Sequence, residues 1–77
     1  IDLNIKERIN MNKTLYNVNG LLNEQVKAQV KHVLSDIDGV SMVNVDLLNS
    51  TIEVGFKEDV DPGKIEEGIE RVGCKIL

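Results

Sequence analysis

The side chains in this sequence able to do metal or nucleophile chemistry are few: one thiol, Cys74, and one imidazole, His32. A soft metal needs at least two soft donors, and an activated nucleophile needs a base within hydrogen-bond reach. Neither residue has such a companion at a recognisable spacing. His32 falls off the apolar stripe of its helical segment and reads as an exposed surface residue. Cys74 has two readings, a small buried hydrophobe or a single soft ligand. Met42 lies in a β-rich run with nothing to make it a ligand. Glu66, Glu67 and Glu70 lie along the outer face of a second helical segment and read as solvated surface. The chain carries no glycine-rich phosphate loop, no paired carboxylates and no His/Cys/Asp/Glu cluster at metal-ligand spacing.

The elements that must position these groups are those of one small domain. At 77 residues, folding buries only roughly 60% of the unfolded chain's surface, which leaves room for one core and a shallow site. Nine basic residues against thirteen acidic ones give a net charge of −4, and the Lys and Arg are scattered. This argues against nucleic acid and anionic membrane as partners. No apolar run approaches the roughly 20 residues of a membrane span. A single cysteine rules out an internal disulfide and points to a reducing compartment, so a cytoplasmic location is expected. With Tyr16 and Phe56 the only aromatics, the core must be aliphatic.

Lys13 to Val18 ("KTLYNV") alternates like a strand and stops at the turn signal Asn19-Gly20. From Glu24 to Ile37 the residues Val26, Val30, Val33, Leu34 and Ile37 make a helical stripe, with Asn23 as N-cap and Asp38-Gly39 as the stop. Two β-rich runs follow, "VSMVNVDLL" and "TIEVGF", with "LNS" as the hairpin turn between them. In these runs Val43, Val45 and Leu47 face the same way as Ile52, Val54 and Phe56. Asp61-Pro62 opens a second helix whose buried stripe is Ile65, Ile69 and Val72. Gly73 closes it, and "CKIL" is a last short strand. The order β-α-β-β-α-β predicts an α+β, ferredoxin-like sandwich, with two helices on one face of a four-stranded antiparallel sheet.

The leader, residues 1–10, admits two readings. Ile1, Leu3 and Ile5 alternate with polar residues as an added edge strand would. The preferred reading is that Lys6-Glu7 corresponds to the bacterial ribosome-binding sequence AAGGAG, with Arg8, Ile9 and Asn10 as spacer. The natural chain then begins at Met11, and the domain is residues 11–77.

From Val18 the chain resembles the heavy-metal-associated domain of copper chaperones, of the N-terminal modules of copper and cadmium transporting P-type ATPases, and of mercury-handling proteins. The family pattern is V-x-G-M-x-C-x-x-C, then apolar helical positions, G-V, a V-x-V-D strand, a second helix and a G-Y turn. This sequence has "VNGLLNEQV", "GVSMVNVDL" and "IEEGIERVGCKI", with no insertion between Val18 and Gly39. The resemblance implies soft-metal binding, Cu(I) above all, and docking to a transporter. It departs from the family where the chemistry sits. Asn23 and Val26 occupy the two cysteine positions, Leu21 the buried Met position, and Cys74 the Tyr of the closing turn, beside the metal loop. Leu22 falls at an exposed loop position on the surface relatives use for docking.

Three functions follow as expectations. The first is an interaction or regulatory module with a degenerate metal site, without cofactor, whose docking surface lies near Leu22 and Cys74. Its partner would be a metal-transporting ATPase or related domain. The second is residual Cu(I) or other soft-metal handling, with Cys74 as the metal ligand in a dimer or in a site shared with a partner. The chain itself is expected to be a monomer or weak homodimer. The third is an enzyme: acylphosphatases share the element order and a V-x-G-V loop. Alignment on Gly20 puts Glu24 where that family's phosphate-binding Arg stands, and Glu24 repels phosphate. The chain is therefore expected not to be an enzyme.

Overall fold

The computed structural model describes residues 11–77, so the readings of the leader lie outside the described residues. The elements run β1 (Met11–Asn19), α1 (Glu24–Ser35), β2 (Val40–Asp46), β3 (Thr51–Lys57), α2 (Pro62–Arg71) and β4 (Lys75–Ile76). The four strands form one antiparallel sheet in the order β2-β3-β1-β4. The expected ferredoxin-like order is thus the observed one.

Each strand turns its apolar set to the helix-covered face. Tyr16 and Val18 of β1, Val45 of β2, and Ile52, Val54 and Phe56 of β3 are buried. From the other layer come Val30 and Leu34 of α1 with Ile65 and Ile69 of α2. Val43 pairs with Val54 and Val45 with Ile52 across the strands, in the expected facing. No charged or polar side chain is buried among the described residues. The helices meet at Gly68, where a β-carbon would stand 3.0 Å from Leu34 Cδ2 and 3.2 Å from Val33 Cγ1.

Several boundaries differ from expectation, each for a local reason. β1 begins at Met11 because its pairing with β3 continues out to Lys57. α1 ends at Ser35 with Asp36 as C-cap. Ile37 remains packed on the core, its N–H donated to the Leu34 carbonyl at 3.1 Å in a tighter turn. The hairpin turn spans residues 47–50 and is held by Asp46. Asp46 Oδ1 accepts from the Asn49 N–H at 3.2 Å and Oδ2 from Asn49 Nδ2 at 2.8 Å, which lowers the Asp46 pKa. β4 is only two residues long, with the Leu77 N–H donating to the Asn17 carbonyl at 2.8 Å.

Candidate functional site

The loop from β1 to α1 takes its shape from its first and last residues. Gly20 has φ +95°, and a β-carbon there would stand 2.9 Å from the Gly73 carbonyl oxygen and 3.3 Å from Cys74 Cα. Only glycine permits both that dihedral and that approach. Leu21 then turns into the core at 7% exposure, whereas Leu22 stands out at 79%.

Asn23 begins the helix in an extended conformation. Its Oδ1 accepts from the Val26 N–H at 3.0 Å, while its carbonyl accepts from the Lys27 N–H at 3.0 Å. This is an N-cap, in which the side-chain oxygen satisfies a first-turn amide that would otherwise lack a partner. Val26, on the first turn, is half-buried and packs against the core. Both positions that the resemblance sets against the family's cysteines therefore serve the fold. The Asn23 amide oxygen is engaged by the cap and Val26 has no lone pair, so these residues do not fit a soft metal held by two thiolates.

Cys74 lies against Gly20, beside the loop. Its side chain is only 3% exposed, and burial raises its thiol pKa. Less thiolate at neutral pH means less nucleophile and a poorer ligand. His32 is exposed further along α1, lining a shallow groove with Arg71 of α2, and Glu24 is the exposed first residue of α1. Met42 is half-buried against Gly55, just past a bulge at Ser41. Glu66, Glu67 and Glu70 are exposed. No group of three or more His, Cys, Asp or Glu side chains able to hold a metal occurs among the described residues.

Two features escaped the sequence reading. The β2–β3 turn sits at the same end of the sheet as the loop, since the Val18 N–H donates to the Ser50 carbonyl at 3.0 Å. It carries Leu48, 92% exposed. An apolar residue inside a predicted turn was the available signal. The second is Tyr16, whose hydroxyl donates to Glu66 Oε2 at 3.3 Å. Burial, and then the Glu66 charge and hydrogen bond, push its pKa up to about 12. A contact between residues fifty positions apart leaves no local pattern to read.

A ferredoxin-like sandwich with this capped loop between its first strand and first helix has the architecture of a small metallochaperone-like domain. The sequence pattern of the heavy-metal-associated domain matches residues 15–75, and the chain belongs to that family. Its structure is similar to the CopZ metallochaperone, with a TM-score of 0.82 and 27% identity over 86% of this chain and 100% of that one. It is also similar to a copper binding domain from HMA7, a P-type ATPase, with a TM-score of 0.77 and 29% identity over 84% and 92%. Oxidized MerP from Ralstonia metallidurans CH34 shares the fold, with a TM-score of 0.79 and 20% identity over 87% and 94%. No curated protein matches the chain by sequence. No helix among the described residues is long and apolar enough to cross a membrane.

Proposed function

We propose that this chain is a non-enzymatic, cytoplasmic interaction or regulatory domain, derived from a metal-carrying ancestor and no longer able to carry metal itself. The observation that supports this most directly is the use of Asn23 as a helix cap and of Val26 as packing, at the two positions where thiolates would stand. The docking surface of this reading lies at that end of the fold, where Leu22 and Leu48 are exposed, whereas Cys74, expected on it beside Leu22, is buried. A metal-transporting P-type ATPase or a related domain is the partner of matching class, because modules of that kind share this fold. The competing reading, Cu(I) bridged by two Cys74 thiolates across a dimer, draws on the placement of Cys74 beside the loop. It is opposed by the burial of the thiol.

Titration of the isotope-labelled protein with the N-terminal domain of a copper-transporting ATPase from the same organism tests the docking reading. Amide shifts concentrated at residues 20–23 and 47–50, and abolished by Leu22→Glu with the fold intact, are expected. No shifts at that end, or shifts indifferent to Leu22→Glu, would overturn it.

A further inference from the structure

Asn19 and Gly20 form the one Asn-Gly pair in the chain. An asparagine side chain is attacked by the backbone nitrogen of the next residue when that nitrogen is unhindered, free of hydrogen bonds and able to swing toward Cγ. Gly20 has no β-carbon, and its N–H makes no hydrogen bond among the described residues. Asn19 is exposed and is the last residue of β1. Its partner Lys75 belongs to the two-residue β4, the thinnest edge of the sheet, where opening costs least.

The other described asparagines are held differently. The Val18 N–H that follows Asn17 is donated to the Ser50 carbonyl, and Asn23 is fixed by its cap bond. Asn49 bonds Asp46 through both its amide groups. Asn12 and Asn44 sit within paired strands, each followed by a residue with a β-carbon. Lys75 lies directly across from Asn19, so its ammonium favours the anion formed during the attack.

We propose that Asn19 is a site of spontaneous backbone-directed modification. The Gly20 nitrogen loses its proton to solvent base and forms a bond to Asn19 Cγ. The side-chain amide leaves as ammonia, closing a succinimide. Water then opens the ring at either carbonyl, giving aspartate or isoaspartate, so that the net exchange is NH2 for OH with one water consumed and one ammonia released. Either product places a carboxylate opposite Lys75 at the base of the loop. Isoaspartate also inserts a methylene into the main chain next to Gly20, whose backbone fits closely against Gly73 and Cys74. The modification therefore alters the charge and the seating of the proposed docking loop as the protein ages.

Incubating the folded protein in mildly alkaline buffer, followed by peptide mapping and enzymatic methylation of isoaspartate, tests this. Asn19 should convert several times faster than any other described asparagine, and Asn19→Gln should remove most of the isoaspartate signal. An Asn19 peptide that stays unmodified while others convert, or an unchanged isoaspartate yield in Asn19→Gln, would overturn the proposal.

Discussion

Restoring cysteines at the two altered positions, Asn23→Cys with Val26→Cys, separates the shape of the loop from its chemistry. The first change removes the cap bond from Asn23 Oδ1 to the Val26 N–H, a loss of about 1 kcal/mol. The second removes about a methyl's worth of packing. A comparable Ile→Val change costs about 0.5–1.5 kcal/mol, and the lower end applies because Val26 is only half-buried. The sum is about 1.5 kcal/mol, or a fall of roughly 10 °C in Tm for a domain of this size. The entry to the loop is set by Gly20 and by its close approach to Gly73, which the double variant leaves alone, and only the cap at the helix start is lost, so the new thiols are expected to lie close enough to share one metal. Cu(I) should then bind and return stability, by about 2.7 kcal/mol at a free concentration one hundred times Kd. Urea unfolding with and without Cu(I), beside a metal stoichiometry, reads both effects. A folded double variant that ignores Cu(I) would show that the loop lacks the family's shape. A loss well above 3 kcal/mol would show that these positions do more than cap and pack.

Three further outcomes are expected. Gly39→Ala should destabilise by roughly 2–4 kcal/mol in thermal or urea melts, because Gly39 has φ +98° and a β-carbon there collides with the Val60 side chain; a near-neutral result would contradict that packing. The Tyr16 hydroxyl titrates at about 12 in the fold against 10.0 ordinarily, so its contribution is present below pH 10 and lost as pH rises toward 12. The loss is at most on the order of 2–3 kcal/mol, and Tyr16→Phe should lack that part of the alkaline slope; identical slopes would refute the assignment. Cys74 should react with alkylating reagents more than about tenfold slower in the native protein than in urea, a factor that roughly 1.4 kcal/mol of opening free energy supplies; equal rates would mean the thiol is exposed.

The element order was legible because the apolar residues keep strand and helix periods cleanly, as at Val43, Val45, Ile52 and Val54, and because Asn23, Asp61-Pro62 and Gly73 punctuate the helices. The errors lie where a residue's burial and its backbone conformation part company. Ile37 continues the stripe of α1 from a tight turn, since apolarity reports the core and not the dihedral. Cys74 to Leu77 resembles a four-residue strand, but β1 offers β4 only the two registered partners Val18 and Asn19. At the site, the lack of a second thiol could be read directly, because residue type alone decides whether a side chain has a soft donor. The neighbourhood of Leu48 and the Tyr16–Glu66 bond could not, because both depend on how distant segments close upon each other.

On the proposed function, the family's metal loop survives here as structure without its chemistry. The most direct test is Cu(I) competition between the unaltered protein, as a dilute monomer at neutral pH, and a chromogenic chelator. Binding no tighter than that of an ordinary peptide thiol is expected; submicromolar one-to-one binding that persists in Cys74→Ser would contradict it.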